Sequence, residues 1–276
     1  MSEKYNISVV IPTYNRYEVL QRALKSVYSQ SYKPKEIIII DDGSNDETAQ
    51  IQKLFPQIKY YYQENSGVSS ARNLGIKKAI CEWIAFLDSD DEFHLDKLRY
   101  QIEFHKKHPD ILMSYTDEKW IRNASEVKMP KKYQKFGGSI FTECLSHCII
   151  APSATMMHKD LLGSVGLFDE TLEVCEDYDL WLRVASKNEI GLIDKKLITK
   201  FGGAADQLSM KFWGMDRYRV QSLEKLLNLD LSLEQKSLVK KTLLNKYSLL
   251  LKGAVKYDRM SEIKEYKTKI ERLKNG

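Results

Sequence analysis

The chain has 276 residues, 43% of them apolar and 29% charged, with a formal net charge of +5. That composition suits one α/β domain of ordinary size plus an appendage, and it excludes a disordered, low-complexity or repeat protein. The longest unbroken apolar runs are short, as at 37–40, which excludes a membrane-spanning helix. Cys81, Cys144, Cys148 and Cys175 fit reduced thiols better than a disulfide framework, and their spacing matches no familiar zinc pattern. The opening Met1-Ser2-Glu3-Lys4 lacks the basic-then-apolar pattern of a secretory signal, so a cytoplasmic protein is expected.

Ile7 to Ile11 predicts a first strand, ended by Pro12-Thr13-Tyr14-Asn15-Arg16. A helix follows, with Val19, Leu20, Ala23, Leu24, Val27 and Tyr28 at the 3.6-residue period. Glu36 to Ile40 is a second buried strand ending in Asp41-Asp42 before Gly43, and Ser44-Asn45-Asp46-Glu47 reads as a capping box for the next helix. Ile58 to Tyr62 is a third strand, and Asn65-Ser66-Gly67 turns the chain into a helix carrying Val68, Ala71, Leu74 and Ala79 inward. Trp83 to Leu87 is a fourth, buried strand running straight into Asp88-Ser89-Asp90-Asp91-Glu92. Leu95, Leu98, Ile102 and His105 then mark a helix stopped by Pro109. Strands alternating with helices imply a mostly parallel sheet with right-handed crossovers. Neither a GxGxxG nor a GxxxxGK motif is present, so dinucleotide and P-loop readings lose their main support.

Open α/β sheets bind ligands outside the C-terminal ends of their strands, where these acids lie. In an extended chain Asp88 and Asp90 face one side and Ser89 the other. Paired carboxylates repel unless a cation lies between them, which suits a divalent ion carrying nucleotide phosphates. The alternative is an acidic strand-to-helix turn.

Beyond Asp110 the alternation loosens. Ile111 to Tyr115 and Ala154 to His158 suggest strands, Ser125 to Gly138 a polar, Lys-rich loop, and Ser139 to Cys148 a short helix. In Val174 to Val184, Asp177 falls at the end of the buried helical stripe, where a carboxylate either caps the helix or serves as a general base. Asp179 is roughly 200° round the helix from it and meets Arg183 at i+4, a surface ion pair. Ile190 to Ile193 and Leu197 to Phe201 read as two strands, and Gly202-Gly203 as a turn. From Met210 the pattern is helical, and Met260, Ile263, Tyr266, Ile270 and Leu273 approach a heptad seam that makes a homodimer an expectation. Residues 219–276 hold fourteen Lys and Arg against seven Asp and Glu, a charge of +7 that leaves −2 for the rest. Either an anionic membrane leaflet meets this segment or its charges are solvated helix faces. Nucleic acid is not expected as a partner, because the basic residues lie on amphipathic helices without a recognition module.

Five ordered motifs, in the stretches 10–16, 41–44, 67–75, 87–91 and 176–181, resemble glycosyltransferase family 2 over roughly residues 5 to 215. The resemblance implies a GT-A fold: a domain at 1–215 with a nucleotide-binding half (about 1–115) and an acceptor half (about 116–215), then a helical segment at 216–276. It implies inverting transfer from a UDP-sugar to a glycan or lipid-linked acceptor, in surface polysaccharide synthesis at the inner membrane face. Pro12, Thr13 and Tyr14 match the loop that cradles base and ribose, Asp42 the acceptor for the uracil imide, and Arg72 a cation near base and phosphates. Asp88 and Ser89 match the ribose contacts, Asp90 the ligand of Mn2+ or Mg2+, and Asp177 the general base, with Glu176 tuning or replacing it. One departure is that 200–207, where related enzymes often carry a histidine, has none; Asp206 or water would fill the place. Two rivals are a non-catalytic nucleotide-sugar-binding module and a sugar-phosphate nucleotidyltransferase. The latter would want a Gly-rich basic loop near the first strand, and Pro12-Thr13-Tyr14 offers none.

Overall fold

A computed structural model describes residues 5–203 and 212–275. Asp206 and the rest of 204–211 lie outside the described residues. The first half runs β1 (Ile7–Thr13), α1 (Tyr17–Tyr28), β2 (Glu36–Asp42), α2 (Ile51–Leu54), β3 (Lys59–Gln63), α3 (Val68–Lys78) and β4 (Trp83–Phe86). These strands are parallel in the order β3-β2-β1-β4. The runs of β1, β2 and β4 are buried on both faces, as a strand covered by helices on both sides must be, while β3 is the half-exposed edge.

The second half adds β5 (Glu92–Phe93), α4 (Lys97–Lys107), β6 (Met113–Arg122), β7 (Ser125–Val127), α5 (Phe141–Ser146), β8 (Thr155–His158), α6 (Lys159–Val165), α7 (Glu176–Ala185) and β9 (Gly191–Gly202). The sheet continues β4-β8-β6-β9-β5, with β7 on β6. Because β8, β5 and β7 run antiparallel to their neighbours, the whole sheet is mixed, and the parallel reading holds for its nucleotide-side half.

Local details depart from the sequence expectations for physical reasons. Asp46, not Ser44, caps the segment before α2, accepting from the Thr48 amide at 2.9 Å. Ser44 is held in the strand-end loop, its own amide bound to Asp41 at 2.8 Å. The expected loop at 125–138 begins instead as a hairpin, because Asn123 and Ala124 take φ of 49° and 61° and form its two-residue turn. The two expected strands at 190–201 are one strand, β9, whose register against β6 shifts between Thr116 and Glu118.

The C-terminal helices α8 (Asp216–Leu227), α9 (Leu233–Lys256) and α10 (Met260–Asn275) pack on this body. Val220, Leu223, Val239, Leu243, Tyr247 and Tyr266 join the main core. Lys246 donates to the Ser146 carbonyl at 2.9 Å and to Asp216 at 2.7 Å. The apolar seam of α10 is spent on α9, with Tyr247 and Tyr266 rings 5.9 Å apart, so the argument for a homodimer through that seam falls away.

Under the β4 end lies a buried polar core. His105 meets the Ile111 carbonyl at 2.8 Å through Nδ1 and Ser114 Oγ at 2.9 Å through Nε2, with its ring 4.0 Å from Trp83. A carbonyl only accepts, so Nδ1 carries the proton and Nε2 accepts from Ser114. Burial pushes His105 down to about 4, against the opposing effect of the Ile111 hydrogen bond. The unfolded chain therefore takes up a proton near pH 6.5 that the fold refuses, so stability falls as pH drops from about 6.5 towards 4, by up to about 3 kcal/mol. Urea unfolding of His105→Gln should show a weaker fold at pH 7 but a smaller further loss at pH 4.5 than the parent chain.

Candidate active site

The parallel strands deliver three loops to one edge of the sheet. At the end of β1, Pro12 and Thr13 are buried while Tyr14 is 44% exposed, its ring available to a ligand. The loop is tied to the end of β2: the Asn15 amide donates to Ser44 Oγ and Asn15 Oδ1 accepts from the Asn45 amide, both at 2.8 Å. Asp42 is buried and accepts from Gln63 Nε2 at 2.7 Å and from the Ser66 and Gly67 amides at 2.9 Å each. It shapes the loop that opens α3, and about one of its four acceptor sites remains. Gly43 (φ 87°) is required beside it, since a Cβ there would lie 2.7 Å from the Asn65 nitrogen.

Helix α3 joins the two halves. Gly75 lets it approach β1, where a Cβ would come 2.2 Å from Val10 Cγ1. Asn73 pairs with the backbone of Phe168, donating to its carbonyl at 2.9 Å and accepting from its amide at 3.0 Å. Arg72, 3% exposed, donates to Asp88 at 2.7 Å and to Glu176 at 2.6 Å. One guanidinium thus brings the end of β4 and the start of α7 together across the sheet. Both terminal nitrogens of Arg72, the residue expected near the base and phosphates, are bound to these carboxylates. Burial works against its charge, but Asp88 and Glu176 hold it above the ordinary arginine range.

The 88–91 segment is a turn, closed by the Asp91 amide on the Asp88 carbonyl at 3.0 Å, so the expected strand-like alternation does not hold. Each acid takes its own direction. Asp88 turns to Arg72; burial raises its pKa, but Arg72, Lys200 and Arg16 more than offset that and hold it below the usual carboxylate range. Asp90 pairs with Arg16 at 3.0 Å, and its carbonyl accepts from Arg22 at 2.7 Å. Asp91 points inward to Ser153 Oγ at 2.6 Å; burial pushes it up to about 8, against the pull of Lys200 and with help from Asp88 and Asp90. Ser89 is buried. Ser153 also accepts from the Asp88 amide at 3.0 Å, so this one hydroxyl pins the turn, and no local pattern in the sequence marks it.

At α7, Cys175 takes φ 65° and sets Glu176, Asp177 and Asp179 in the first turn, where the helix dipole favours acids. Asp177 is partly exposed, and its Oδ1 accepts the Tyr178 amide at 2.7 Å. Glu176 is buried; burial and then Asp177 raise its pKa, outweighing Arg72. Asp179 does pair with Arg183, at 2.9 Å, but it is 2% exposed rather than on the surface, and Lys225 of α8 joins it at 2.8 Å. Lys200 lies in the field of Asp91, Glu118, Asp88 and Asp177, which hold its ammonium above the ordinary lysine range despite burial. No group of three metal-binding side chains occurs among the described residues. The donor set fits an ion held by one carboxylate, Asp90, and mainly by a ligand's phosphates, the usual manner of Mg2+.

Removing Arg72 strands the buried Glu176 and the partly exposed Asp88. Arg72→Met should cost about 3–5 kcal/mol in urea unfolding, and Arg72→Lys should recover only part, because an ammonium cannot span both acids as the guanidinium fork does.

The Glycosyl transferase family 2 profile matches residues 8–166. An uncharacterized glycosyltransferase of Rickettsia conorii is 41% identical over 194 residues, 69% of this chain but 32% of the relative, so the chain spans about a third of that protein's length. The Escherichia coli UDP-Glc:alpha-D-GlcNAc-diphosphoundecaprenol beta-1,3-glucosyltransferase WfgD is 31% identical over 195 residues, 70% of this chain and 74% of its own. Among solved structures, S. aureus TarS 1-349 in complex with UDP-GlcNAc matches with a TM-score of 0.69 at 23% identity, over 87% of this chain and 71% of that one. The GT-A-type fold, the ordered strand-end motifs and these matches agree: the chain belongs to glycosyltransferase family 2.

Proposed function

We propose that this chain is an inverting glycosyltransferase that moves a sugar from a UDP-sugar to a glycan or lipid-linked acceptor in surface polysaccharide assembly. The Arg72 bridge carries the reading, because it gathers the β4 acids and the first acids of α7 into one cluster at the strand ends. The donor and acceptor named for the E. coli relative, and the UDP-GlcNAc held by the S. aureus TarS segment, support the substrate class.

In this reading Tyr14, Pro12, Thr13 and the open acceptor site of Asp42 receive the uridine, and Asp88 with Ser89 lines the ribose. Asp90 would hold Mn2+ or Mg2+ shared with the diphosphate, and such an ion supplies positive charge to the departing group. Asp177 takes the proton of the acceptor hydroxyl as its oxygen bonds to the anomeric carbon. The bond from that carbon to the diphosphate breaks on the opposite face, its electron pair leaving with UDP, and the configuration inverts. Glu176 is bound to Arg72 and positions the first turn of α7 rather than replacing the base. Asp177→Asn should lower transfer about 10²- to 10⁴-fold while leaving the affinity for UDP within about twofold. In calorimetry Mn2+ should tighten UDP binding to the parent chain and not to Asp90→Ala.

We further infer a peripheral site of action on the inner membrane face. No described helix is long and apolar enough to cross a membrane. The C-terminal helices expose Lys241, Lys252, Lys256, Lys264, Lys267 and Lys274, a distribution that attracts an anionic leaflet. The segment cannot be cut away to test this, because its apolar faces belong to the core. The full chain should float with anionic vesicles, and a variant with Lys252, Lys256, Lys264 and Lys267 changed to Glu should not; equal flotation of both would falsify the membrane reading.

A further inference from the structure

Lys200 is set by two strand registers at once. On one side β9 pairs antiparallel with β5, Thr199 opposite Glu92, so the next step brings Lys200 abreast of Asp91. On the other side β9 pairs with β6, Lys200 opposite Trp120 and Ile198 opposite Glu118. Lys200 and the buried Ile198 share a face, which aims the lysine inward rather than to solvent. Its ammonium stands 5.4 Å from the Trp120 ring. The next residue, Phe201, lies under Arg22 at 3.7 Å, and Arg22 itself holds the Asp90 carbonyl at 2.7 Å. The end of β9 is therefore fastened to the acidic turn.

The other cations of the cluster are engaged. Arg72 is bound to Asp88 and Glu176, Arg16 to Asp90, and Lys135 to Glu118 at 2.9 Å. Lys200 sits in the field of Asp91, Glu118, Asp88 and Asp177, yet among the described residues it makes no hydrogen bond or ion pair. Three strong donors remain unspent on a half-buried ammonium that the β5 register brings abreast of the acidic turn. A nucleotide diphosphate entering a ring of carboxylates meets repulsion unless a cation on the facing wall receives it.

We propose that Lys200 is a built-in cation of the donor site, binding the diphosphate of the nucleotide sugar so that the donor is held in part without a divalent ion. The inference rests on the UDP-sugar reading above. As the bond between the anomeric carbon and the diphosphate oxygen breaks, the electron pair stays on that oxygen. Lys200 remains protonated, hydrogen-bonds to the diphosphate and transfers no proton.

The test is calorimetric titration of UDP and of uridine into the full chain, in EDTA and in Mn2+, for the parent, Lys200→Met and Lys200→Arg. The parent should bind UDP in EDTA, and Lys200→Met should weaken that binding about ten- to a hundredfold, the usual loss for a charge-assisted hydrogen bond. Uridine affinity should not change, Lys200→Arg should keep most of the metal-free affinity, and Mn2+ should restore much of what the methionine variant loses. Equal loss for uridine and UDP would assign Lys200 a structural role and overturn the proposal, as would unchanged UDP binding. Should the methionine variant not fold, Lys200→Gln is read in its place. UDP binding by the parent that strictly requires Mn2+ would sink the proposal while leaving the donor reading intact. A parent chain that binds UDP under neither condition would overturn both.

Discussion

A single buried guanidinium holds the two halves of this molecule in register. Arg72 reaches Asp88 at 2.7 Å and Glu176 at 2.6 Å from a position 3% exposed to water. Stripping three charges of water is expensive, and their attraction offsets that cost only when the geometry is good. The surroundings of α3 supply that geometry. Gly75 seats the helix against β1, and Asn73 fixes the backbone at Phe168, from which the chain runs on to α7. The ion triad is thus a constraint first: wherever α3 goes, the strand-end acids and the α7 acids go together.

That constraint explains which parts of the molecule were legible in the sequence. Strands β1, β2 and β4 and helices α3 and α7 announce themselves through short apolar runs and 3.6-residue stripes, which are local signals. The residues that close the site are not local. Ser153 reaches the acidic turn only because β8 lies beside β4, and Lys200 reaches it only because β9 is gripped by both β5 and β6. Asp179 looked like a surface partner of Arg183 because the i+4 spacing is visible in the sequence and α8 is not; Lys225 covers it. The polar hairpin at the end of β6 was hidden for a related reason. Its apolar residues are few, with Trp120 opposite Val127, and of the turn residues Ala124 gives no hint of its positive φ.

The basic C-terminal segment shows the same division between local and non-local signals. Its charge is plain in the sequence, and the exposed lysines of α9 and α10 keep it on the surface. Its apolar residues, which suggested a seam for a second copy, are consumed within the chain by Tyr247, Tyr266 and their neighbours. Lys246 is drawn inside to bind Asp216 and the Ser146 carbonyl, so even the charge is not all on the surface.

Charge balance explains how one four-residue turn carries three aspartates. Asp91 is buried and pushed up to about 8, with Lys200 pulling the other way, so burial weighs against its charge. The other two acids each have their own arginine, Arg72 for Asp88 and Arg16 for Asp90. The two pairs are not equivalent. The Arg72 side chain is 4% exposed and shared between Asp88 and Glu176, whereas that of Arg16 is 19% exposed; the two acids differ little, Asp88 at 24% and Asp90 at 18%. The turn therefore holds its three acids in three ways: Asp88 on an enclosed guanidinium, Asp91 on the Ser153 hydroxyl, and Asp90 on an arginine that water reaches.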